Sequence, residues 1–142
     1  MVYGIGCDLC EIARMEKSLT ASHGAAFAQR VFGPAEQALL GLGESAFPLP
    51  EGRRLTHLAA RAAANFAAKE AFLKAAGTGL TAPFSLCEIE ALRLPSGAPE
   101  YHFSGKTAAW VEAHRLTARL SLSHDGGMAL AFCILEPLPP ET

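Results

Sequence analysis

The chain has 142 residues, half of them hydrophobic, with 12 Lys plus Arg against 14 Asp plus Glu. That length supports one domain with a substantial core and is short for two. The near balance of charge argues against a nucleic-acid-binding protein, which usually carries a basic excess, but leaves room for a local basic patch.

The N-terminal VYGIGCDLCEI has no basic leader and no long apolar stretch. The longest apolar run, MALAFCIL, suits a strand and not a bilayer span. These features predict a cytoplasmic protein away from membranes, with Cys7, Cys10, Cys87 and Cys133 reduced. Residues 2–12 alternate as a strand, with Gly4, Gly6 and Asp8 on one face. Small residues there admit a close neighbour. A carboxylate on such an apolar strand needs a hydrogen bond, a counter-charge or a metal. Cys7 and Cys10 form a CxxC, but residues three apart on a strand point to opposite faces, and no second CxxC or His pair accompanies them, so they read as packing residues.

Residues 14–30 read as a helix that breaks near Gly24, and residues 34–42 as a shorter helix with Pro34 in its first turn. Residues 44–54, with Pro48, Pro50 and Gly52, read as a loop. Residues 58–79 follow as one long alanine-rich helix, with Thr56 as N-cap and Gly77 as its stop. It nearly lacks a polar face, so it should be buried on most sides. Yet it carries Arg61, Asn65 and Lys69 at i, i+4 spacing, and Glu70 and Lys74 at the same spacing. After a link containing Pro83, residues 85–94 alternate as a half-buried strand, and residues 100–103 return as its partner. Residues 106–115 form a short helix. Residues 118–124 and 128–135 form a hairpin around Asp125, Gly126 and Gly127, and residues 137–142 a tail. The order predicts an α+β fold in one domain over residues 1–136. In it the first strand joins an antiparallel sheet made by the later hairpins, packed around the long helix.

Several common motifs are missing. There is no GxxxxGK[ST], Leu9 stands where GxGxxG needs its last glycine, and contiguous Ser123, His124 and Asp125 cannot form a catalytic triad. What remains is Asp8, Glu70 and Lys74. Two converging carboxylates repel unless a cation joins them, and Mg²⁺ typically takes one or two carboxylates and fills its shell with phosphate oxygens and water. Lys74 would then meet a phosphate. The plainer alternative is a Glu70–Lys74 ion pair along the helix, with Asp8 capping a turn.

GIGCDLCEI, NFAAKEAFLKAAGTG and LSLSHD, in that order, resemble the 4′-phosphopantetheinyl transferases, and in particular the short, single-domain holo-[acyl-carrier-protein] synthase branch. The resemblance implies that fold, with transfer of 4′-phosphopantetheine from coenzyme A to a serine of an acyl carrier protein. It matches Asp8 and Glu70 to the Mg²⁺ ligands, Glu70 also being a candidate for deprotonating the acceptor, and Lys74 to the lysine that steadies the leaving group. Lys69, Gly77, Thr78, Gly79 and His124 match positions lining the coenzyme A site, and Arg14 matches a position on the carrier-docking helix, with Lys17 and Arg30 nearby. It also implies a homotrimer with active sites between subunits. The family often has arginine where this chain has Asn65, and Arg61 one turn earlier is a substitute for the lost phosphate contact. Two other readings stay open from the sequence: a non-catalytic coenzyme A- or carrier-binding module, and a metal-dependent phosphohydrolase.

Overall fold

A computed structural model describes residues 1–81 and 83–141. Strand β1 (Gly4–Glu11) leads directly into helix α1 (Ile12–Thr20), followed by α2 (Gly24–Val31) and α3 (Pro34–Leu40). Helix α4 (Arg53–Ala76) runs through the centre, then β2 (Ile89–Arg93), β3 (Pro99–Phe103), α5 (Gly105–Ala113), β4 (Leu116–Asp125) and β5 (Met128–Pro137). The tail expected at 137–142 begins inside β5, and Thr142 and Ala82 lie outside the described residues.

The antiparallel pairing is divided between two sheets. One has the order β1-β5-β4, and the other holds β2 and β3 alone. The first strand therefore joins the late hairpin as expected, but the middle hairpin stands apart. Register places Asp8 opposite Ala131 and Leu9 opposite Leu130, while Ser123 also faces Leu130 and His124 faces Ala129. The strand expected over 85–94 is shorter, because residues Leu86–Glu88 coil into a 3₁₀ turn first. Ile89, Glu90 and Ala91 are then buried on both faces of the ribbon, so the expected half-buried alternation is not realised.

Helix α4 starts five residues earlier than the sequence suggested. Its N-cap is Gly52, and Thr56 lies in the first turn, with its hydroxyl donating to the Gly52 carbonyl at 3.2 Å. Leu55, buried against the core, carries the helix back into the expected loop. The stop at Gly77 holds, with left-handed φ of 85° and its N–H reaching back to the Leu73 carbonyl at 3.1 Å. Alanines at 59, 62, 63, 67, 68 and 71 are fully buried. Along β1, Gly6 presses on this helix so closely that a Cβ there would overlap the Ala71 carbonyl and sit 2.7 Å from the Ala75 nitrogen. Glycine on the strand and alanine on the helix together explain the close approach.

Two apolar clusters flank α4. Phe72, Phe84 and Ile89 centre one, where Phe72 meets Phe84 edge-on with ring centroids 5.5 Å apart. Met15, Leu19, Phe32 and Leu42 centre the other. No helix among the described residues is long and apolar enough to cross a membrane.

Candidate functional site

Close packing of β1 on α4 brings Asp8 beside Glu70 and Lys74. The even positions of β1 face the helix, so Asp8 emerges where the strand leaves the Ala71–Ala75 contact. Lys74 Nζ lies 3.1 Å from Asp8 Oδ1 and donates to the Cys7 carbonyl at 2.9 Å. Asp8 is 19% exposed and Lys74 56%, so the pair sits at an open rim. Glu70 makes no ion pair among the described residues, and the expected helical Glu70–Lys74 bridge is replaced by the cross-element pair with Asp8. Partial burial raises the Glu70 carboxyl above its ordinary range, the Asp8 charge raises it further, and Lys74 opposes both.

These observations fit a hard cation. The Asp8 and Glu70 charges repel, and a lysine ammonium already stands at Asp8. No group of three or more Asp, Glu, His or Cys side chains gathers among the described residues. Two protein carboxylates with the remaining positions left to water and phosphate is the donor set that suits Mg²⁺. Gly77, Thr78 and Gly79, all exposed, begin one turn beyond Lys74 and put turn backbone at the same end of α4.

Arg14, exposed on α1, shares a small cavity of about 210 Å³ with Leu9, Cys10, Phe27 and Phe66, next to the strand that carries Asp8. His124 does not join that group. It lies next to the last residue of β4, two strands from β1, and lines a separate cavity of about 520 Å³ with Arg53, His57, Arg61 and Arg93 against the N-terminal half of α4. No carboxylate lines this cavity among the described residues. Burial and the neighbouring Arg61 charge both lower the Arg93 pKa, so the two guanidiniums face each other's fields without an anion between them. Arg93 escaped the sequence reading because nothing local ties a β2 arginine to α4.

Lys69 is a correction. Matched to a coenzyme A-lining position, it is fully buried in this chain and points the other way. Its ammonium pairs with Glu36 of α3 and donates to the carbonyls of Leu86 (3.0 Å) and Ile89 (2.6 Å), which uses all three of its protons. It also lies 5.5 Å from the centroid of the Phe32 ring. Asn65 follows it inward. The Asn65 amide donates to Glu36 Oε2 at 2.8 Å and to the Ala91 carbonyl at 2.9 Å, and its own Oδ1 is buried without a partner among the described residues. Of the row Arg61–Asn65–Lys69, only Arg61 stays outside, donating to the Leu39 carbonyl at 2.7 Å. Burial pushes the Glu36 carboxyl up and the Lys69 ammonium down, and each charge opposes the other's shift. Glu36 also accepts from the Gly33 N–H (3.0 Å) and the Ala91 N–H (3.1 Å), so four donors favour its carboxylate form. Pro34 at the first position of α3 with Glu36 two residues on was the local signal for this acceptor.

Residues 4–133 match the model of the 4′-phosphopantetheinyl transferase superfamily. The holo-[acyl-carrier-protein] synthase of Leptothrix cholodnii is 40% identical over 136 residues, covering 96% of this chain and 97% of that protein. The crystal structure of the corresponding synthase from Neisseria meningitidis superposes with a TM-score of 0.76 at 33% identity, over 96% of this chain and 99% of that one. That of the Bacillus anthracis enzyme, in complex with CoA (3′,5′-ADP), gives 0.72 at 31% identity, over 97% and 99%.

Proposed function

Since the chain belongs to the 4′-phosphopantetheinyl transferase superfamily, in its holo-[acyl-carrier-protein] synthase branch, we propose that it transfers 4′-phosphopantetheine from coenzyme A to a serine of apo acyl carrier protein. The observation that carries this reading is the convergence of Asp8, Glu70 and Lys74 at one open rim. A pure binding module has no use for two carboxylates held beside an exposed ammonium.

Asp8 and Glu70 would hold Mg²⁺, which when bound supplies positive charge to a diphosphate. Lys74, more than half exposed, exchanges Asp8 for a phosphate oxygen and steadies the leaving group. The serine Oγ attacks the pantetheine-bearing phosphorus. The bond from that phosphorus to the bridging oxygen breaks, and adenosine 3′,5′-bisphosphate departs. The serine proton goes to a Glu70 carboxylate oxygen, directly or through a water. The Gly77–Thr78–Gly79 backbone and the arginine-rich cavity beside His124 offer contacts for the anionic remainder of coenzyme A. The exposed Arg14, with Lys17 and Arg30 nearby, suits the docking of an acidic carrier.

A homotrimer with sites between subunits fits two features. Ile5, Leu9, Leu130 and Phe132 are large, apolar and exposed on the outer face of the three-stranded sheet, and register makes Leu9 and Leu130 direct neighbours. His124 and the cationic cavity lie apart from Asp8 within one chain, so a neighbouring copy is the means to bring them to a shared ligand. All four cysteines are free, in keeping with a cytoplasmic setting.

Mass spectrometry of apo acyl carrier protein incubated with coenzyme A and Mg²⁺ tests the reading. A gain of one phosphopantetheine, lost with Glu70→Gln, is expected. Unmodified carrier, with coenzyme A intact or cleaved, rejects the transferase.

A further inference from the structure

We propose that Glu36 is a positioning residue for the transfer reaction: by clamping Lys69 and Asn65 it fixes the rotation of α4, and with it the aim of Glu70 toward Asp8. The inference rests on the transferase reading above. Its first support is the surface of α4. Directional interlock between helix and sheet comes from side chains seated as ridges in grooves. Toward β1 the helix presents Ala71 and Ala75, and the strand facing it carries Gly4 and Gly6. That contact is close but weakly keyed against rotation and sliding, and the large key on α4, Phe72, sits on another face among Phe84, Tyr101, Phe103 and Trp110.

The second support is where the keys are. Asn65 and Lys69 stand one turn apart on the same face, and both reach Glu36. From there the clamp extends into β2 through the Ala91 N–H and carbonyl and the Ile89 carbonyl. It reaches the start of α3 through the Gly33 N–H, and the Glu36 N–H itself donates to Glu90 Oε2 at 2.8 Å. Glu70 directly follows Lys69, about 100° around the helix axis. A turn of α4 that loosens the clamp therefore changes the aim of Glu70 relative to β1. On the far side, Lys74 holds Asp8 only at the solvent rim.

The third support is the cost of the arrangement. An ion pair with no exposure and an orphaned Asn65 Oδ1 are both expensive, and well-packed apolar residues often replace such pairs without loss of stability. Stability alone gives little reason for the clamp, whereas orientation does.

The test uses the full chain and two readouts below the melting transition: steady-state transfer to apo carrier protein, and Mn²⁺ affinity by electron paramagnetic resonance without coenzyme A. The double variant Glu36→Gln/Lys69→Met removes both charges of the pair, while Glu90, buried beside it, keeps the N–H of residue 36 as its donor. A kcat lowered about 10-fold or more is expected, with Mn²⁺ binding about 5-fold weaker and KM for the carrier nearly unchanged, all read at temperatures where the variant is folded. Parental kcat and Mn²⁺ affinity in that variant overturn the proposal. Should it fail to fold, Asn65→Ala, which keeps the ion pair and removes one clamp, decides: a loss of about 3-fold in both readouts supports positioning, and no change overturns it. A parent protein that transfers nothing rejects the transferase reading itself, a distinguishable result.

Discussion

Lys74 pairs with Asp8 across the β1–α4 contact and not with Glu70, its neighbour one turn back on the same helix. The lysine therefore serves as a provisional cation for the strand carboxylate, while Glu70 faces the same rim without an ion pair of its own among the described residues. Lys74→Ala removes an exposed pair, which is worth about 1 kcal/mol of stability or less. The same change is expected to lower kcat by about 10²-fold, because it removes charge stabilisation from the departing bisphosphate. Urea melts and steady-state transfer assays on the one variant separate the two effects.

Glu70→Gln abolishes transfer and, measured in EDTA, stabilises the fold at neutral pH. Burial and Asp8 raise the Glu70 carboxyl above its ordinary 4.5, so between that value and the raised one the folded chain holds more protons than the unfolded one. Stability then falls as pH rises through this window, and the penalty is absent below about 4.5. Melting curves from pH 4 to 8 are expected to show the variant's advantage growing with pH. An advantage that is constant across the range contradicts the assignment.

The carboxylates and the central helix were legible in the sequence because their signals are local. Period-two alternation put Asp8 on the glycine face of β1, and alanine content with Gly77 marked most of α4. Lys69 was misread because i, i+4 spacing says that Arg61, Asn65 and Lys69 share a stripe but not which way the stripe faces. Its counter-charge, Glu36, sits on another helix, and that pairing has no local signature. The nearly missing polar face of α4 was the available warning: a cation on such a helix has either an internal partner or a position at the rim, and Lys69 and Lys74 take one each.

Gly6→Ala places a methyl group against the Ala71 carbonyl and the Ala75 nitrogen, both backbone atoms that cannot step aside. A loss of about 3 kcal/mol is expected from such overpacking. Urea unfolding reads it directly, and residual activity at low temperature reports how far β1 has lifted from Glu70.

The outer sheet face gives a further prediction. Phe132→Glu puts a charge among Leu9, Leu130 and Phe132's own strand neighbours, on a side chain that is exposed within one chain. The single chain tolerates it, while a trimer does not. Sedimentation is expected to show monomers, with activity down about 10-fold or more as each site loses its neighbour's His124 cavity. Full activity from a monomer rejects the shared site.

Arg14→Glu reverses a charge beside the Leu9–Cys10 cavity without touching Asp8. KM for the acidic carrier is expected to rise about 10-fold, with KM for coenzyme A unchanged and the parental salt dependence of KM flattened.

Strand β1 is bonded along its whole length to residues 128–135, with Asp8 opposite Ala131. On the ribosome, Asp8 is therefore synthesised early and waits for its hydrogen-bonded neighbour until nearly the whole of this chain has emerged. Until then the apolar strand has no sheet to enter, and the carboxylate has no fixed place beside α4. A nascent chain stalled short of residue 128 is thus catalytically silent and exposes a sticky edge, so translation itself times the appearance of activity.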